Sequence, residues 1–289
     1  MRKTFIVILI ILIAAAIAYL FLRAEESQKP KITGPALKVR FLDQDFGTAS
    51  VLTMPDGSVT VVDPSSGRPT QALIEMLGSE GVKQIDVIIS TPSRDCATAL
   101  AKLGSAFTVN SIIRPELGRT TSSWRRWIKS SKWEPTSEKV VSRGDRVRLA
   151  ADVIMEVLNP PQDANIRGSG DDSLVFKVVY KESSILYLSN IGSKGEAELI
   201  GSRQDLQSSI MVAARNARYG SNCLELLAAV RPQVCVVSAL RNNKPSASVL
   251  SRLSTINTGA TLFRTDKDGI IEIDTDGHSN QALGMGGSF

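Results

Sequence analysis

The chain opens with Met1-Arg2-Lys3-Thr4, followed by an unbroken apolar run over residues 5–22. Those 18 residues approach the ~20 that cross a bilayer as a helix. The run is longer than the apolar core of a cleavable leader, and Arg23-Ala24-Glu25-Glu26-Ser27 offers no small-x-small cleavage site. The expectation is an uncleaved signal anchor over 1–23. Arg2 and Lys3 on its N-terminal side keep that end cytoplasmic and place the body outside. Residues 24–36, punctuated by Pro30, Gly34 and Pro35, read as a linker.

From Leu37 onward the apolar pattern alternates between periods of two and of about 3.6. Residues 37–42, 49–54 and 59–63 read as strands, with Pro55-Asp56-Gly57-Ser58 as a hairpin turn between the last two. A helix is expected over 69–77, a strand over 85–90, a helix over 96–103 and a strand over 109–113. Short strands follow near 139–141, 146–149 and 153–158, then a long polar loop from Asn159-Pro160-Pro161 to Gly170. The second half repeats the order. Paired strands over 173–180 and 185–189 precede a helix over 195–200, a strand over 210–214 and a helix over 222–230. A buried strand over 234–239, a helix over 246–253 and strands over 261–264 and 269–273 complete it. Hairpins followed by βα units, twice over, predict an α/β sandwich of two mixed β-sheets flanked by helices. The domain is expected over 37–275, with a loose Gly-rich tail over 276–289.

Composition narrows the chemistry. Of the residues, 43% are hydrophobic, 22% charged and only 5% aromatic. The core must therefore be built from Val, Ile, Leu and Ala. A net charge of +5 is mildly basic and falls short of a dedicated nucleic-acid binder. The cysteines Cys96, Cys223 and Cys235 form no CxxC pair, which argues against a disulfide framework or a structural zinc site. His278 is the only histidine, whereas most hydrolytic metal sites need two or more imidazoles.

The strand–turn–helix stretch from Ile85 to Leu100, through Ser90-Thr91-Pro92-Ser93-Arg94-Asp95-Cys96, lies where an α/β protein keeps its site. Several motifs in order carry a family resemblance around it. They are Val39-Arg40-Phe41-Leu42-Asp43 with Gly47, Pro55-Asp56-Gly57, Val61-Val62-Asp63, Asp172-Ser173-Leu174-Val175 and Phe263-Arg264-Thr265-Asp266-Lys267-Asp268-Gly269. On them the chain resembles the metallo-β-lactamase fold, and more closely the hydrolase domain of ComEC-type DNA-uptake proteins. The resemblance runs from about Leu37 to Ile273. It implies an αββα sandwich and, in the family, two zinc or manganese ions that activate a water.

Matched residue by residue, the metal-binding positions are degenerate. The family's His-x-His-x-Asp-His turn falls on Thr91, Ser93, Asp95 and Cys96. The His-His-Gly turn falls near Arg215-Asn216-Ala217, the metal-bridging aspartate on Asn190 and the last histidine on Lys244. Asp95 and Cys96 alone cannot close a hydrolytic zinc site, and Arg215 and Lys244 would repel a cation. No metal and no other cofactor is expected, nor a catalytic residue. Convergence of Arg94, Arg215 and Lys244 would make an anion pocket in place of the metals. Otherwise they are solvated loop residues. Cys96 at a helix start could act as a thiolate, but His278 lies in the tail, so it reads as an apolar filler.

Residues 120–133 hold all three tryptophans, Trp124, Trp127 and Trp133, among Arg125, Arg126, Lys129 and Lys132. Trp124, Trp127 and Ile128 share a face if helical. That face either packs on the body or forms a surface for anionic headgroups or nucleic acid. Together these observations predict a membrane-anchored, catalytically silent relative of the hydrolase domain, acting as an extracytoplasmic binding or assembly module. Its partners would be the cytoplasmic membrane through the N-terminal helix and an anionic ligand, lipid headgroup or DNA. The alternatives are a hydrolase with an altered site and a DNA-binding accessory of uptake machinery.

Overall fold

The computed structural model describes residues 32–43, 48–91, 94–116, 137–162, 170–239, 244–255 and 260–285, with the side chains of Arg94 and Asp95 outside that description. Residues from Gly34 onward form one body. The apolar run 5–22 and the Trp-rich segment 120–133 lie outside the described residues. Among the described residues no helix is long and apolar enough to cross a membrane.

Strands alternate in the body because Val, Ile and Leu recur at every second position. In β1 (Leu37–Phe41), Leu37, Val39 and Phe41 are buried while Lys38 and Arg40 face outward. The first sheet adds β2 (Ser50–Thr53), β3 (Val59–Val62), β4 (Gln84–Ile89), β5 (Thr108–Pro115) and β6 (Ser137–Val141). The second contains β7 (Arg146–Ala150), β8 (Val153–Asn159), β9 (Val175–Tyr180), β10 (Ser183–Tyr187), β11 (Ile210–Val212), β12 (Val234–Val237) and β13 (Thr261–Arg264). The chain then returns to the first sheet as β14 (Ile271–Thr275) and β15 (Asn280–Gly284). The eight-stranded order is β15-β14-β1-β2-β3-β4-β5-β6, and the seven-stranded order is β13-β12-β11-β10-β9-β8-β7.

Each sheet is antiparallel along one half and parallel along the other. Strands β14, β1, β2 and β3 pair antiparallel, whereas β3 to β6 pair parallel. In the second sheet β7 to β10 are antiparallel and β10 to β13 parallel. The antiparallel halves follow from short turns. At the β2–β3 turn Asp56 Oδ1 accepts from Ser58 N at 3.0 Å and Ser58 Oγ at 2.7 Å, and Gly57 takes φ 87°. The parallel halves need crossovers, supplied by α1 (Arg68–Ser79), α2 (Arg94–Ala106), α3 (Ser193–Gly201), α4 (Leu224–Val230) and α5 (Ala247–Thr255). A single helical turn, α6 (Thr265–Asp268), links β13 to β14.

Three apolar clusters set the layers. One, with Phe41, Leu52, Met155, Phe176 and Val178, joins side chains from both sheets. Another lies between the first sheet and α1 and α2, around Leu73, Leu77, Leu100 and Leu103. The third lies between the second sheet and the helices α3 to α5, around Leu199, Leu226 and Leu253. The result is the αββα sandwich expected from the element order.

One expectation is corrected. Residues 280–284 are not a loose tail: β15 pairs antiparallel with β14, Thr275 facing Asn280 and Ile271 facing Gly284. The turn between them explains why. Asp276 Oδ1 accepts from His278 N at 2.9 Å and Ser279 N at 2.8 Å, and Gly277 adopts φ 92°.

Candidate functional site

The parallel halves of the two sheets end on a shared cavity of about 400 Å³. Its walls come from residues just beyond strand C-termini, where a doubly wound sheet opens to ligand. After β3 come Asp63, Pro64 and Ser65, and after β4 comes Thr91, with Cys96 from α2. Ser189 and Asn190 follow β10, and Ala213, Arg215, Asn216 and Arg218 follow β11. Ser238 follows β12. Phe41, Ser50, Val62, Tyr187 and Val212 supply the inner wall.

The first-sheet side is built on Asp63. Its backbone turns to φ 44° and its N–H donates to Ile89 O at 2.9 Å, tying the ends of β3 and β4 together. Thr91 donates to its carboxylate twice, from N to Oδ1 at 2.6 Å and from Oγ1 to Oδ2 at 3.2 Å. Burial raises the Asp63 carboxyl above its usual range, against the lowering effect of those two bonds. On the inner wall Tyr187 stacks on Phe176 with ring centroids 4.7 Å apart, and its hydroxyl meets Ser50 Oγ at 3.1 Å. Burial pushes its phenol pKa up, and the Asp63 charge adds to the shift.

On the second-sheet side, Arg215, Asn216 and Ala217 hold φ values of 50°, 55° and 56°. Three successive non-glycine residues in the left-handed region cost on the order of 1–3 kcal/mol each and persist only under strong local restraint. The restraint is a buried polar net. Asn222 Oδ1 accepts from Ala214 N, and its Nδ2 donates to Ala214 O, both at 3.0 Å. Ser221 Oγ donates to Ala214 O at 3.1 Å and Arg218 O at 2.7 Å. The fully buried Glu196 accepts from the backbone N–H of Asn222 and, at 2.9 Å, of Cys223. Arg252 Nη1 donates to Asn222 O at 2.7 Å. Ser246 N donates to Ala217 O at 2.9 Å.

The guanidinium of Arg215 is placed by a glycine. A Cβ on Gly192 would stand 3.0 Å from Arg215 Nη1, so the bare backbone leaves room for it. Asp171 Oδ1 caps the start of α3 by accepting from Gly192 N at 2.8 Å and Gly195 N at 3.1 Å. Gly170 allows the segment before Asp171 to close on Asn190, since a Cβ there would lie 2.7 Å from its carbonyl oxygen.

The cavity therefore gathers Thr91, Cys96, Asn190, Arg215 and Asn216. Ser93, and the side chains of Asp95 and Arg94, fall outside the described residues. Lys244 is exposed and does not line the cavity. Of the expected trio, Arg215 lines the cavity, Lys244 does not, and the Arg94 side chain lies outside the described residues; Arg218 lines the cavity beside Arg215. His278 sits in the β14–β15 turn beside Glu182, at 3.2 Å, and is not in the cavity wall. Sequence reasoning missed Arg218, Asp63 and the bracing carboxylate Glu196. Asp63 had a signal, a charged residue ending the buried run Val59–Val62. Arg218 had none beyond its nearness to Arg215.

The residues present do not fit the two metal ions of the family. Among the described residues no three His, Cys, Asp or Glu side chains come together as a ligand set. The one carboxylate that the described residues place in the wall, Asp63, is engaged by Thr91. Among the described residues the remaining polar wall is amide, hydroxyl, thiol and two guanidinium groups, of which the last repel a cation.

Comparison with known proteins is consistent with this architecture. No protein-family model matches the chain. ComE operon protein 3 of Bacillus subtilis (strain 168) is 24% identical over 208 residues, covering 70% of this chain and 26% of the relative. The chain thus spans about a quarter of that relative's length. Among solved structures, a long form RNase Z from yeast superposes with a TM-score of 0.53 at 6% identity, over 88% of this chain and 50% of the other. Zn(2+)-bound PqqB from Methylobacterium extorquens gives a TM-score of 0.50 at 8% identity, over 75% of this chain and 85% of the other. Both neighbours are metallo-β-lactamase-fold proteins. The chain has the metallo-β-lactamase fold, and its likeness to ComE operon protein 3 is consistent with a ComEC-type domain of that fold.

Proposed function

We propose that this chain is a catalytically silent, metal-independent metallo-β-lactamase-fold domain that binds a ligand in the strand-end cavity, anchored at the extracytoplasmic face of a membrane. The observation that carries the reading is the cavity itself. It lies at the strand ends where an α/β protein keeps its site, and among the described residues its wall presents Arg215 and Arg218 and no metal-ligand set. Anchoring is supported by the apolar run 5–22 and the basic residues before it.

A hydrolase with an altered site is the second reading, favoured by Cys96 in the cavity wall. A thiol nucleophile needs a base within hydrogen-bond reach, and the single imidazole belongs to a different turn. The nucleic-acid-accessory reading rests on residues 120–133, outside the described residues.

The test is a phosphodiester and lactam hydrolysis assay on the full-length chain in detergent, with and without added zinc and manganese. The expected result is no turnover above buffer under any metal condition. Metal-dependent turnover would overturn the reading in favour of the altered hydrolase. Alkaline carbonate extraction of membranes should leave the chain in the pellet, and release into the supernatant would remove the anchor.

A further inference from the structure

Arg215 and Arg218 lie three residues apart on one braced turn, and both reach the same cavity wall. Among the described residues neither guanidinium is in an ion pair. Arg215 is half-buried and Arg218 exposed, whereas three other arginines of the body are matched. Arg264 meets Asp266 at 2.7 Å, and Arg40 and Arg114 meet Glu80 and Glu138. Asp171, which like Arg215 borders Gly192, gives its Oδ1 to the N–H groups of Gly192 and Gly195. Asp63, the carboxylate of the opposite wall, is turned to Thr91. Among the described residues, then, two forked cations border a cavity whose one lining carboxylate, Asp63, is bonded to Thr91.

On this basis we propose that the cavity binds a phosphate group, free or as a monoester, with Arg215 and Arg218 as its anchors. The inference rests on the binding-module reading and names its ligand class. Charge and shape both select phosphate over carboxylate. A phosphate monoester near neutral pH carries close to two negative charges and three acceptor oxygens, matching two guanidinium forks. A carboxylate satisfies only one fork. The volume of about 400 Å³ admits phosphate with a small organic group and is at the low end for larger ligands. The left-handed turn at Arg215–Ala217, held by Glu196, Asn222 and Ser221, fixes the backbone that carries the anchors before ligand arrives. That lowers the ordering cost of binding.

The experiment is isothermal titration of the full-length chain in detergent, in low salt with EDTA, against inorganic phosphate, glycerol 3-phosphate and acetate. Saturable binding of inorganic phosphate assigns a free anion. Binding of glycerol 3-phosphate alone assigns an ester such as a lipid headgroup. Acetate should bind about tenfold more weakly or worse. R215A and R218A should each weaken phosphate binding by about tenfold to a hundredfold, the loss expected for a charge-assisted contact. R215K, which keeps the charge but not the fork, should fall between, and provides the readout if R215A unfolds. R231A, outside this cavity, should bind like the parent. Absence of saturable binding of both inorganic phosphate and glycerol 3-phosphate, or equal affinity in R215A, R215K and R218A, overturns the proposal. That outcome with no bound metal and no turnover would leave the binding-module reading standing. Metal-dependent turnover would sink the reading as well.

Discussion

Replacing Glu196 by Gln tests how the strained turn of the site is held. The fully buried carboxylate takes two backbone N–H groups at the start of α4, those of Asn222 and Cys223, one on each oxygen. Glutamine keeps the volume but has a single acceptor oxygen, and its amide nitrogen must then face a donor. One buried N–H is left unpaired, at about 1–3 kcal/mol, and the other loses its charge assistance, about 1 kcal/mol more. Relief of carboxylate burial offsets part of this, leaving a loss of about 2–3 kcal/mol. For a domain of this size each kcal/mol moves the midpoint by about 2–4 °C. E196Q should therefore melt roughly 5–10 °C below the parent by circular dichroism on the full-length chain. E196A, which frees both donors and leaves a void, should lose about twice as much. A midpoint for E196Q within about 1 °C of the parent would refute the account of the bracing net.

Two further predictions concern titrating groups. Asp63 has a folded-state pKa raised by burial, so its favourable contribution is full below the unfolded value of about 4 and is lost as pH rises through the folded value. D63N removes that dependence while keeping an acceptor for Thr91 N. Its melting temperature relative to the parent should rise from pH 4.5 to pH 7.5, and a pH-independent difference would contradict the burial of an ionising carboxyl. The Cys223 thiol is pushed up to about 11, first by burial and then by Glu196. It should alkylate with iodoacetamide at pH 8 more slowly than in the unfolded chain, and faster in E196Q than in the parent. Equal rates in E196Q and the parent would remove Glu196 as a cause.

Much of the fold is legible because it rests on short-range pattern. Alternation marks β1, and Pro55-Asp56-Gly57-Ser58 marks the β2–β3 hairpin through bonds between residues two apart. The buried runs before Asp63 and Ser90 mark strands that feed the site. The last hairpin was equally local, with Asp276-Gly277 between two short strands, yet the glycine-rich residues after it masked the pairing. The site is less legible because its geometry is long-range. Glu196 braces Asn222 from 26 positions away, and Asp63 meets Thr91 across 28. Matching positions to a family turn located Arg215 and Asn216 in the cavity. It also named Lys244, which does not line the cavity, and passed over Arg218, whose place depends on a left-handed turn that no periodicity announces.

The proposed function requires a strand-end cavity that works without a metal ion. Elemental analysis of the full-length chain, purified without chelator and dialysed against zinc and manganese, tests it most directly. The account predicts metal well below one ion per chain, unchanged by substitution of Cys96. One or two tightly held zinc or manganese ions per chain would contradict it.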